Sequence, residues 1–280
     1  MHKGTRRHRG ALVLAVAAYL IAFVILLPLL WIFLLSFQST ESILDDPFRP
    51  VGFDLENYIE ALTTIPLGAM FGNTLILAAS SVGVGTVISF MSSFAIARMV
   101  FRRRRIRSVL RLYLIGGLAI PVYVLLFPVY RLDITIGVFG SYLALILPYI
   151  AVTIPFNTLL FTGFLADFPQ ELEEAAIIDG AGLTRLCWSV VLPLMKPVIA
   201  TVVIFNVIYV VNEFPFVSIL VNTPEMTTVS LAVSQFQGQY NADYGAMMAA
   251  MILILIPQLA MYALFQKQVV SGMTMGSVKG

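Results

Sequence analysis

Residues Glu171–Pro197, ELEEAAIIDGAGLTRLCWSVVLPLMKP, form one long polar interruption between hydrophobic segments that itself reads as helical. Pro169 suits the first turn of a helix, where its missing N–H costs nothing. Glu171, Glu173 and Glu174 load that turn with negative charge, which favours the positive end of the helix dipole. Ala175 and Ala176 follow, and Gly180-Ala181-Gly182 ends the helix in a turn. Thr184 is placed to cap a second short helix through Val191, with Pro193 as its stop. One face of the first helix carries Leu172, Ala175, Ala176 and Asp179, and its small centre lets another protein approach closely. The spacing predicts a docking element.

Working outward, the composition fits a membrane protein. Of 280 residues, 59% are hydrophobic and 11% charged, against about 25% charged in soluble proteins. Cys187 is alone, so an intrachain disulfide and a thiol metal cluster are both excluded. His2 and His8 lie in a basic tail spanning residues 1–10. An apolar run from about 11 to 37 follows. A signal peptide competes for this reading, but its apolar core is roughly 7–15 residues. This run is longer and reaches the roughly 20 residues of a spanning helix, so it is expected to be retained. Pro28 is a place for a kink and Trp31 for an interfacial ring.

Further spans are expected at about 71–97, 112–129, 141–163, 198–220 and 244–265, with a tail over 266–280. The predicted class is an all-α polytopic membrane protein with six transmembrane helices. Ser80, Ser81, Gly83, Gly85, Ser89, Ser92 and Ser93 in the second span favour close helix contacts. Gly116, Gly117, Pro121 and Pro128 in the third, and Pro148 and Pro155 in the fourth, predict bent helices. Arg98, Arg102, Arg103, Arg104, Arg105, Arg107 and Arg111 read as a basic loop that fixes topology and meets anionic membrane lipid, not nucleic acid. With both termini cytoplasmic, 15 of the 17 lysines and arginines lie inside, and only Arg49 and Arg131 outside. The interruption at 164–197 then also faces the cytoplasm.

Glu174-Ala175-Ala176, Gly180 after three residues and Val190-Val191-Leu192-Pro193 after nine more resemble the EAA loop. That loop marks membrane subunits of ATP-binding-cassette (ABC) importers. The fuller string EAAIIDGA with LPLMKP is similar to the carbohydrate-uptake, maltose-type permeases, as is Pro128–Tyr149, PVYRLDITIGVFGSYLALILPY. Asn57-Tyr58 and Asn73-Thr74 also resemble positions flanking the second span in relatives. The resemblance implies the type I ABC importer fold, in which this chain forms half of a heterodimeric pore. It implies a second permease, a pair of ATPase subunits holding ATP and magnesium, and an extracytoplasmic solute-binding protein. It further implies that Glu174, Ala175, Ala176, Asp179, Gly180, Leu192 and Pro193 couple the pore to the ATPase. Ser271-Gly272-Met273-Thr274 through Lys279-Gly280 resembles the ending of one carbohydrate permease subunit, which implies that Thr274, Lys279 and Gly280 reach the ATPase pair.

For a solute path, the polar groups of the fifth span are the candidates. Asn206, Tyr209 and Glu213 are spaced to share one helix face, with Asn212 beside them. Polar groups at membrane depth face protein or an aqueous path, so they either meet sugar hydroxyls or bond another helix. Many carbohydrate permeases carry Trp-Asn-acid here, and Val211 replaces that Trp. No glycine-rich phosphate loop, Ser/His/Asp set or metal-ligand spacing is present, so no catalytic residue, metal or cofactor is assigned to this chain. Two alternatives stand beside a sugar importer subunit: a proton-coupled secondary transporter using Glu213, and an ABC permease for a non-sugar solute such as glycerol 3-phosphate.

Overall fold

A computed structural model describes residues 3–49, 52–238 and 242–275. Among them the α-helices are α1 (Lys3–Leu35), α2 (Thr40–Asp45), α3 (Glu56–Thr64), α4 (Leu67–Arg98), α5 (Arg104–Gly116), α6 (Leu126–Ile136), α7 (Tyr142–Ala166), α8 (Gln170–Ile178), α9 (Leu183–Arg185), α10 (Leu192–Leu194), α11 (Lys196–Asn212), α12 (Pro215–Leu220) and α13 (Tyr244–Met275). Four helical stretches are long and apolar enough to cross a membrane: Leu14–Leu35, Leu67–Arg98, Tyr142–Ala166 and Tyr244–Gln266. Two bent helix pairs bring the number to as many as six among the described residues, where each pair is counted as one span. The all-α, multi-span expectation holds.

The bent pairs show what glycine and proline do here. Arg104–Ala119 and Val122–Ile136 meet at 95°, with the break at Ile120-Pro121. Immediately before it, a Cβ on Gly117 would come within 2.6 Å of Pro155 Cγ, so only glycine lets this turn approach α7. The expected third span at 112–129 is therefore two helices. Arg104, Arg105, Arg107 and Arg111 belong to α5 and not to a loop, as arginine's good helix propensity allows. By contrast, α7 runs unbroken through Pro148 and Pro155, both buried.

The second pair, Leu183–Leu194 and Lys196–Asn212, meets at 71°. Pro193 does not stop the short helix as expected. A π-helical turn at Leu186–Val191 precedes it, and Pro193 sits in the first turn of α10, where a missing N–H is harmless. Nor does Thr184 cap it: Gly182 occupies that position. The expected fifth span at 198–220 also divides, because α11 ends at Asn212 and α12 begins at Pro215. At the chain ends, α1 runs back through the basic segment to Lys3, and α13 continues past the apolar stretch to Met275.

The chain packs as two compact units, residues 1–66 with 232–258, and residues 67–231 with 259–280. In the first, Asn57 Nδ2 donates to the carbonyls of Ser36 (3.0 Å) and Gln38 (2.8 Å), and Tyr58 Oη lies 2.7 Å from Ser36 Oγ. Asp243 accepts from Ala246 N and Thr40 Oγ1, both at 2.9 Å, and so caps α13. Asn57-Tyr58 is thus a hook that ties α3 to the chain leaving α1.

In the second unit α4 lies along α7. Ser81, Gly85, Ser89 and Ser93 recur every fourth residue on the buried face. A Cβ on Gly85 would stand 3.0 Å from Thr153 Oγ1, so this is the close approach. Ser81 and Ser89 satisfy their hydroxyls on the carbonyls of Leu77 (2.6 Å) and Gly85 (2.7 Å), within α4 itself. Ser80, Gly83 and Ser92 lie off that fully buried face. Asn73 Nδ2 donates to the carbonyls of Glu225 (2.7 Å) and Thr227 (2.8 Å), and its Oδ1 accepts from Tyr142 (2.7 Å). Asn73-Thr74 is the matching hook at the start of α4, with Thr74 Oγ1 accepting from Val229 N at 3.2 Å.

Candidate functional site

The interruption folds as a helical hairpin, α8 followed by α9, the π-turn and α10. Gln170 opens α8 with Pro169 just outside it, and Glu171 and Glu173 sit in its first turn. The helix ends as the glycine spacing predicts. Gly180 has φ +79°, its N–H donates to Ile177 O, and Ala181 N–H donates to Ala176 O, both at 2.9 Å. These two bonds make a Schellman ending, which satisfies carbonyls that a helix end leaves open. A β-branched residue would strain the left-handed backbone at Gly180.

The faces of α8 differ from the expected ones. Leu172, Ala175 and Asp179 are exposed, as a docking surface requires, and so is Glu174. Ala176 is half-buried and packs on the chain's own core, a cluster that includes Phe168, Leu186, Cys187 and Val191. It is therefore held against the hairpin's own core and only partly available to a partner. The apolar tip is instead Ile177, 58% exposed, and Ile178, 84% exposed, with Leu183 beyond the turn. Leu192 packs partly on the same core, while Pro193 is exposed.

Glu173, next to the exposed Glu174, turns inward. Its Oε1 accepts from Arg98 Nε at 2.8 Å, and Arg98 Nη2 also donates to Leu165 O at 2.8 Å. The Arg98 guanidinium stands 6.0 Å from the centre of the Phe168 ring. The arginine-rich sequence groups Arg98 with the basic loop, but the structure sets it apart. The signal was its separation from the arginine run by Met99-Val100-Phe101, which leaves it at the end of α4.

The polar groups of the fifth span are not one cluster. Asn206 is buried and donates to Asn157 Oδ1 of α7 at 3.0 Å. Glu213 is the C-cap of α11: its N–H still donates to Val210 O, and the backbone turns extended only after it. Its carboxylate accepts from Phe216 N (2.9 Å) and Val217 N (3.2 Å) and thereby caps α12, while Tyr149 donates its hydroxyl at 2.9 Å. Tyr209 meets the Tyr149 ring edge-on with centres 6.2 Å apart. Asn212 is exposed and bonds only back to Ile208 O, at 2.8 Å. Two of the four residues thus hold helices together. Tyr149, overlooked in an apolar run, joins Tyr209 to Glu213. The tail contacts Lys279 and Gly280 lie outside the described residues, as does the side chain of Thr274.

Among the described residues no group of His, Cys, Asp and Glu could hold a metal ion. The family described as binding-protein-dependent transport system inner membrane component matches residues 85–275. The diacetylchitobiose uptake system permease protein NgcG of Streptomyces coelicolor is 31% identical over 260 residues, covering 91% of this chain and 85% of its own. The trehalose/maltose transport system permease protein MalG of Thermococcus litoralis is 31% identical over 273 residues, covering 96% and 97%. A chain from the crystal structure of a bacterial ABC transporter involved in import of the acidic polysaccharide alginate superposes with a TM-score of 0.77. That match covers 95% of this chain and 98% of the other, and at 20% identity it establishes a shared fold.

Proposed function

We propose a function from one premise: this chain belongs to the family of inner membrane components of binding-protein-dependent transport systems. It is a multi-pass permease subunit of an ABC importer, the non-catalytic membrane part of the machine. From there the reading is that it forms half of a heterodimeric pore with a second permease and imports a sugar. Relatives along nearly its whole length serve diacetylchitobiose and trehalose or maltose uptake, which supports a sugar solute. Two ATPase subunits bind the ATP and magnesium, and an extracytoplasmic binding protein delivers the solute.

The observation that carries the coupling role is the Schellman-ended hairpin, which presents Ile177 and Ile178 at an exposed tip. Exposed isoleucines on a helix flanked by Glu174 and Asp179 suit an apolar groove with a basic rim on the ATPase. Leu172, Ala175 and Gly180 line that contact; Ala176, Leu192 and Pro193 keep the hairpin in shape. Both termini are cytoplasmic, because the distribution of basic residues favours that orientation. In the solute path, the exposed Asn212 is the pathway-facing amide, and Asn206 and Glu213 hold the helices that line it.

Uptake of labelled trehalose, maltose and diacetylchitobiose in cells with and without this chain tests the substrate class. Loss of one of these on deletion is expected; undiminished uptake of all three contradicts the sugar reading. Orientation is tested in intact cells with single cysteines in a Cys187→Ser background. Cysteines at Asp45 and Asn222 should react with a membrane-impermeant thiol reagent, and those at Arg104 and Gly182 should not. The reverse pattern would remove the hairpin from the cytoplasm and the coupling role with it.

A further inference from the structure

We propose that Arg98 is a positioning residue for coupling: it ties the hairpin to the ends of two membrane spans. The inference rests on the hairpin's coupling role and adds the route by which its motion reaches the spans. Arg98 is the last residue of α4, Leu165 lies in the last turn of α7, and Glu173 lies in the first turn of α8. A helix C-terminus leaves carbonyls open and favours a cation, and a helix N-terminus favours an anion. One guanidinium, carried on the end of α4, answers the other two helix ends. Its Nη2 bonds Leu165 O, and both Nε and Nη2 reach Glu173 Oε1, at 2.8 and 2.7 Å.

The arrangement is shielded without being sealed. The Arg98 and Glu173 side chains are 17% and 11% exposed, and the Phe168 ring lies beside the guanidinium. Low water access strengthens the pair relative to a surface ion pair, and the planar fork fixes direction as well as distance. A lysine offers a single charged centre and cannot reproduce the two-edged contact. This is the only ion pair among the described residues. The chain carries six further arginines just beyond Arg98, so general basicity is already supplied and does not require this one to be paired. A displacement of α8 consequently draws the ends of α4 and α7 together rather than flexing the loop at Asp167–Pro169.

Spin labels at Met99 and Gln170, both exposed and outside the docking tip, report the tether in the complete complex carrying Cys187→Ser. In the nucleotide-free and ADP–vanadate-trapped states the unsubstituted Arg98 protein should give one narrow distance distribution. Arg98→Met should at least double its width, with the ATPase subunits still co-purifying. The same variant should lower ATP hydrolysis stimulated by binding protein, loaded from the trehalose, maltose and diacetylchitobiose panel, about fivefold or more. Glu173→Gln, which keeps size and fold, should give an intermediate loss, and Arg98→Met/Glu173→Gln should be no worse than Arg98→Met alone. An unchanged width in Arg98→Met overturns the tether. A broadened width with full stimulation makes the pair merely structural and overturns the positioning role. Failure of the underlying coupling role is read separately, as full stimulation in a Gly180→Val protein with Arg98 intact.

Discussion

Glu173 and Glu213 are both buried glutamates, 8% and 3% exposed, yet their surroundings differ in kind. Glu173 meets a full opposite charge at the edge of the exposed hairpin. Glu213 is held by neutral donors, a tyrosine hydroxyl and two backbone N–H groups, inside a core of Tyr149, Phe216 and Val217. A charge-to-charge contact can transmit a push between separate helices. A carboxylate that caps the helix restarting two residues later fixes a break in a span. Under the proposed coupling role, the difference separates a moving part from a fixed joint.

The joint should be the more sensitive to deletion. Glu213→Ala leaves the Phe216 and Val217 N–H groups and the Tyr149 hydroxyl without their acceptor, and hydrogen bonds to a charged group are worth about 1.5–3 kcal/mol each. A large fall in recovery of folded chain is expected by fluorescence-detected size-exclusion chromatography, with Glu213→Gln losing less. Near-normal recovery of Glu213→Ala would remove the distinction between joint and lever.

Ala176 sharpens the same comparison from the hairpin side. Because it packs on the chain's own core, Ala176→Trp should destabilise the permease by about 1–3 kcal/mol through overpacking. Ile178→Asp, at the exposed tip, should leave the melting temperature unchanged and weaken cross-linking of the hairpin to the ATPase. If both variants melted normally and both lost cross-linking, Ala176 would face the partner after all.

The smallest effect lies at Glu60, in the polar segment between α1 and α4. Partial withdrawal from water, then the Asp243 carboxylate and Glu56, raise the Glu60 carboxyl above its usual range. A raised acid favours folding below its unfolded pKa and loses that contribution as pH rises through the folded value. Glu60→Gln should therefore raise the melting temperature slightly at about pH 7 and leave it unchanged near pH 4, below the ordinary glutamate range. An equal shift at both values would mean the carboxyl's charge is not what matters there.

The hairpin was legible because its determinants are contiguous: the acidic first turn, the alanines and the Gly180 ending all lie within a short string. Its tether was not, because Arg98 is 75 residues from Glu173 and nothing in either neighbourhood names the other. The break in the fifth span just after Asn206, Tyr209 and Glu213 has a local cause. Pro215 opens a new helix, so the periodicity cannot be carried beyond Glu213, and that proline was the available signal. The third span shows the same limit, since Gly116, Gly117 and Pro121 announce a bend but not its 95° angle.

Coupling through the hairpin is tested most directly by ATP hydrolysis of the reconstituted complex, with and without loaded binding protein, for the Gly180→Val chain. The left-handed turn at φ +79° cannot hold valine cheaply, so the Schellman ending and the placement of Ile177 and Ile178 should be lost. Membrane insertion and pairing with the second permease should persist, while stimulation by loaded binding protein disappears. Full stimulation in Gly180→Val would contradict the account, because the hairpin would then not be the coupling element.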